Sequence, residues 1–115
     1  MAKISFLPAE IDRFMDMIAK SAKVRQLRWK SVAQATGIGL LSLEGDPMNL
    51  RDSLQDLREQ FERSTGSLVA QYQPAGMPSI DTWGNTGDTL PLMKAIKQQL
   101  DPKNTLNPGR FVGGI

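Results

Sequence analysis

Cysteine and histidine are both missing from this 115-residue chain. Together those absences remove most familiar catalytic and metal chemistries. Without cysteine there is no disulfide, thiol nucleophile or thiolate metal site. Without histidine there is no imidazole ligand for zinc, no His-based triad and no side chain that ordinarily titrates near neutral pH. No apolar run approaches the roughly 20 residues that cross a bilayer, and the first residues carry no signal-peptide pattern. Basic and acidic residues nearly balance, 14 against 12, and they are mixed along the chain. No basic stripe therefore marks a nucleic-acid partner. Trp29 is a lone aromatic on its segment and no RNP-like run exists, which argues against a sheet that stacks RNA bases. Neither "TGIG" nor "VGGI" has the length or the strand-to-helix setting of a phosphate loop.

What is present is ordinary globular composition, 40% apolar and 23% charged, enough to bury a core in one domain. Residues 3–8 alternate, with Ile4 and Phe6 on one side, and stop at Pro8: a short strand. Ile11, Phe14, Met15, Ile18 and Ala22 then recur at helical spacing over 9–22. Residues 24–34 read as a half-buried strand. Leu27, Trp29 and Ala33 share one face, with Gln26, Arg28 and Lys30 on the other. Residues 38–45 read as its hairpin partner. Asp46-Pro47 is a helix start, followed by Leu50, Leu54, Leu57 and Phe61, with Arg51, Asp52, Arg58, Glu59 and Glu62 on the opposite face and Gly66 as the terminating glycine. Residues 67–73 read as a strand.

Strand, helix, strand, strand, helix, strand is the split βαβ, or ferredoxin-like, order. The fold class expected is α+β, a βαββαβ antiparallel sheet with its helices on one face. That core spans 3–73 of a single domain covering 1–115. A Gly/Pro-rich loop (74–88), a third helix (89–101) and an extended tail (102–115) follow. The third helix aligns Leu92, Met93, Ile96 and Leu100 on one stripe and stops before Pro102. Pro102, Lys103 and Asn104 fit a turn, and Pro108-Gly109 fits the centre of a type II turn.

Candidate chemistry is sparse. Asp12/Asp16 and Asp52/Asp56 are (i, i+4) pairs on exposed helix faces and read as solvated surface rather than acid/base dyads. No catalytic or metal-ligating set emerges. Arg25, Arg28 and Lys30 form a basic cluster. Arg28 and Lys30 share a strand face, turned toward solvent, a carboxylate ligand or a partner domain. Trp83 in "DTWGN" lies in a loop, where it either plugs the core edge or rests on another domain.

The stretch "PLMKAIKQQLDPKNTLNPGRFVGGI", with Asp81, Trp83 and Gly84 ahead of it, resembles the C-terminal signature of the FAD-linked oxidases of the vanillyl-alcohol oxidase type. Within them it is most similar to the glycolate-oxidase branch. The matching positions are Leu92, Met93, Lys97, Asp101, Pro102, Leu106, Asn107, Pro108, Gly109 and Arg110. The resemblance implies that the chain is the C-terminal cap of a longer flavoprotein that oxidises a 2-hydroxy acid. FAD would be held by an N-terminal domain of the same parent, and no cofactor would bind this fragment alone. Asn107, Pro108, Gly109 and Arg110 would then clasp the flavin side, and Arg28 and Lys30 would face the substrate or an interface. Implied partners are the N-terminal FAD domain and further glycolate oxidase subunits, with self-association of the fragment. The implied location is the cytoplasm, peripheral to the inner membrane through those subunits. The lack of histidine departs from family members that carry it near the flavin, and argues against independent oxidation by this chain. The rival reading is a free-standing ferredoxin-like ligand-binding or regulatory module.

Overall fold

A computed structural model describes residues 1–115. They form two compact units, Met1–Gly84 and Asn85–Ile115. The division falls inside the stretch read from sequence as the 74–88 loop.

The first unit contains strands β1 (Ala2–Ser5), β2 (Arg28–Ala33), β3 (Ile38–Glu44) and β4 (Ser67–Ala70), with helices α1 (Ile11–Val24) and α2 (Pro47–Glu62). The sheet is antiparallel in the order β2-β3-β1-β4, the split βαβ arrangement expected. Register decides which side is core. Ala2 pairs with Leu41 and Ala70, and Ile4 with Gly39 and Leu68, so these residues point to one face. There they are buried together with Phe14, Ile18, Leu50, Leu54, Leu57 and Phe61 from the two helices. Phe14 stands at the centre, its ring 5.1 Å from Phe6 and 4.3 Å from Phe61. Pairing of Lys3 with Leu40 and Val69, and of Ser5 with Ile38 and Ser67, sends those side chains to the opposite, open face.

Local signals behave as their chemistry demands. The Asp46 carboxylate accepts the Met48 and Asn49 amides at 3.0 and 3.2 Å, capping α2 with Pro47 in its first turn. The strand expected over 24–34 is shorter. α1 runs on to Val24, and Gln26 takes a left-handed conformation (φ +54°) that brings the Leu27 amide to the Ala22 carbonyl at 2.8 Å. Only from Arg28 is the backbone free to pair.

The sequence predicts Arg58 on the outer face of α2, yet it is buried. It lies four residues after Leu54 and three before Phe61, inside the apolar stripe. Downstream of β4, Met77 and Ile80 return to the core. The Gln73 side-chain amide bonds the Ile80 amide and carbonyl at 3.1 and 2.9 Å, as a neighbouring strand would.

The second unit is built on one helix, α3 (Leu90–Leu100), entered through a 3₁₀ turn at Gly87–Thr89 and followed by the tail. None of the α3 residues is buried. No helix of the chain is long and apolar enough to cross a membrane.

Candidate functional site

Asp81 organises the motif that closes the first unit. Its carboxylate accepts the Trp83 and Gly84 amides at 3.2 and 3.1 Å, a side-chain-closed turn. The turn is latched to the sheet through the Thr82 carbonyl, which accepts the Ala70 amide at 2.9 Å and the Arg58 guanidinium at 3.2 Å. Arg58 donates a second bond, at 3.2 Å, to the Leu68 carbonyl. Gly84 sits at φ +76°, and a β-carbon there would meet Arg58 Cδ and Glu62 Oε1 at 2.8 Å. The motif therefore needs aspartate for its acceptors and glycine for its fit. Trp83 is only partly buried and does not belong to the core; it lines a cavity on the open face of the sheet.

In the second unit the tail is tied by one ion pair. Lys97 Nζ lies 2.6 Å from Asp101 Oδ2 and donates also to the Leu106 carbonyl at 2.6 Å. Asp101 additionally accepts the Thr105 amide at 2.9 Å, the Thr105 hydroxyl at 3.0 Å and the Leu106 amide at 2.8 Å. The Lys97 ammonium, followed by the Thr105 and Leu106 amides, holds the Asp101 carboxyl well below its ordinary value of 3.8.

Beyond this knot the chain reverses again at Pro108-Gly109. The Arg110 amide donates to the Asn107 carbonyl at 3.2 Å, and Gly109 has φ +74°. This is the type II geometry predicted. Asn107 itself is left-handed, at φ +46°. Its side-chain amide and the Arg110 guanidinium have no partner within the chain. Both line a concavity of about 620 Å³ whose other walls are Met93, Ile96, Leu100, Leu106 and Phe111. Lys97 and Asp101 also line it but neutralise one another. The charge left over is that of Arg110.

The basic cluster read from sequence does not assemble. Arg25 closes α1 and bonds Asp56 at 3.3 Å and Ser21 Oγ at 3.0 Å. Arg28 and Lys30 do share the open face of edge strand β2, but Arg28 is neutralised across the strand pair by Glu44 at 2.9 Å. Neither lines the cavity beside Trp83. No group of three or more acidic residues gathers to hold a metal ion.

Residues 82–111 match a family model described as FAD linked oxidases, C-terminal domain. The match supports an FAD-linked oxidase C-terminal domain. It covers just over a quarter of the chain, and that quarter includes Trp83 and Gly84, α3, the Lys97–Asp101 knot and the Pro108-Gly109 turn. No curated protein and no solved structure matches the chain.

Proposed function

We propose that this chain is the C-terminal cap of a flavin-dependent 2-hydroxy acid oxidase or dehydrogenase subunit, closing over FAD held by an N-terminal domain of the same parent protein. Within that class the reading is the FAD-binding E subunit of glycolate oxidase, working with the other subunits of that enzyme. The observation that carries the proposal is where the family match falls. It ends on a tail that the Asp101 knot and two prolines preorganise, and that presents Asn107 and Arg110 with unspent hydrogen-bonding capacity.

The residues present fit one side of a flavin. A primary amide and a guanidinium beside an apolar wall suit the edge and face of a planar polar ring. The tail has no glycine-rich loop before a helix to cradle a pyrophosphate, so that part of FAD belongs to the N-terminal domain. FAD, when bound, accepts hydride from the substrate carbon. This chain's share is positioning and exclusion of water. Asn107 and Arg110 orient and neutralise polar groups at the ring, and the Pro108-Gly109 turn lets backbone approach closely. Nothing lies within 4 Å of a β-carbon built on Gly109, so its open side is available to a partner surface. Lys30, the basic residue of the β2 face without an acidic neighbour, is the cation offered toward a substrate or interface; Arg28 joins it only on giving up Glu44.

The test is FAD content, read from flavin absorbance per polypeptide, in the full-length parent carrying Asn107→Ala or Gly109→Val. Both variants are expected to lose FAD on gel filtration, Gly109→Val because valine disfavours the positive φ. Undiminished FAD in both would remove the clasp.

A further inference from the structure

The cavity on the open face of the sheet is a second concavity, about 700 Å³ in volume, bounded by Lys3, Ser5, Ile38, Val69, Gln71 and Trp83 among others. Its size lies within the ~300–1,000 Å³ of small-molecule sites. Strand register builds the floor. Lys3 stands between Leu40 and Val69, and Ser5 between Ile38 and Ser67. The Asp81 turn supplies the aromatic wall by fixing Trp83.

The polar groups here are few, and those of Lys3 and Gln71 are unspent. Lys3 is the one charged residue that lines the cavity, and its ammonium has no ion pair or hydrogen bond in the chain. Ser5 Oγ and Ser67 Oγ lie 2.7 Å apart. Two hydroxyls sharing one hydrogen bond retain one O–H to donate outward. The Gln71 side-chain amide, also without a partner, adds further donors. One positive charge and several donors thus converge on apolar side chains and an indole.

We propose that this cavity binds a small monocarboxylic acid with an apolar or aromatic body. The carboxylate meets Lys3 and the Ser5–Ser67 pair, and the body lies against Trp83, Val69 and Ile38. Charge selects the ligand class. Lys3 is exposed, so a neutral apolar molecule would leave its ammonium in water and gain no contact from it. A phosphate monoester carries close to two negative charges, and the single lysine of this cavity pairs only one of them. A carboxylate balances one lysine. This inference stands on the first unit alone and does not need a flavin.

The experiment is a ¹⁵N NMR titration of the whole chain with 3-phenylpropionate, alongside 2-phenylethanol and phenyl phosphate. Saturable shifts are expected at Lys3, Ser5, Val69 and Trp83 with the carboxylate, and at least tenfold weaker binding of the other two compounds. Lys3→Met should weaken 3-phenylpropionate about tenfold, the scale of one charge-assisted hydrogen bond. Lys3→Arg, which keeps the charge, should retain binding and guards against a general loss of folding. Absence of saturable shifts, equal binding of the alcohol or the phosphate, or indifference to Lys3→Met would each overturn the assignment.

Discussion

Three aspartates carry much of the local order in this chain by accepting backbone amides. Asp46 starts α2, Asp81 closes the Trp83 turn, and Asp101 anchors the tail. Asp101 has the most to lose on protonation, because Lys97, Thr105 and Leu106 all donate to its ionised form. A carboxyl whose folded pKa is lowered stabilises the fold fully above its ordinary value, and that contribution is lost as pH falls through the folded value. The Thr105 and Leu106 amide resonances should therefore hold steady through the ordinary carboxylate range and move only in stronger acid, well below pH 3.8. Asp101→Asn should abolish that acid-side transition and speed exchange of both amides about tenfold at neutral pH. A tail whose amides ignore both acid and the substitution would not be held by this knot. Asp46 is legible in sequence as a helix cap, whereas Asp81, which serves amides at the same spacing, enters the sequence reading only through the family resemblance. Arg58 was not legible. A guanidinium in an apolar stripe has value only where carbonyls from distant residues, here Leu68 and Thr82, converge on it.

At the scale of elements, Gly66 is not the glycine that terminates α2, because the helix is capped at Arg63, three residues earlier. Sequence points to a glycine that ends α2 in a left-handed conformation, but Gly66 is absent from the residues with positive φ. It is confined by space: a β-carbon would meet the Phe14 ring and the Ser5 carbonyl at 2.9 Å. Gly66→Ala should consequently destabilise the fold by about 1–3 kcal/mol through overpacking. Chemical denaturation followed by circular dichroism checks this, and a variant within error of the parent would place the closeness outside the packed core. Helices α1 and α2 were readable because their buried residues recur at three and four. Strand β2 was readable in its faces but not its start, since Val24 extends the helix and Gln26 makes the turn. Trp29 keeps to the helix side of the sheet by register with Leu43, yet stays 37% exposed at the edge.

At the scale of the whole molecule, the chain exposes more apolar surface than its composition suggests. On α3, Leu92, Ile96 and Leu100 are 64, 50 and 78% exposed, and Leu106 and Phe111 of the tail are also exposed. Each such side chain leaves about 2 kcal/mol of possible transfer free energy unclaimed. A stripe of this kind belongs against another surface, which accords with a chain that works as part of something larger. Sedimentation velocity should show concentration-dependent association of the isolated chain, and Leu92→Glu with Leu100→Glu should shift it toward monomer. An unsubstituted isolated chain that stays monomeric at high concentration would show that the stripe drives no self-association.

The sequence by itself determined what is local: the alternation and periodicity that yield a split βαβ order, the caps and turns at Asp46 and Pro108-Gly109, and the exclusion of thiol and imidazole chemistry. It also carried the tail motif, because prolines, glycine and aspartate act on their immediate neighbours. Tertiary structure alone decided which cations are spent and which are free. Arg28 meets Glu44 and Lys3 meets nothing because strand register, not sequence distance, places partners face to face. It likewise decided that Trp83 faces a cavity rather than the core, since the latch between Thr82, Ala70 and Arg58 joins parts of the chain that no local pattern connects.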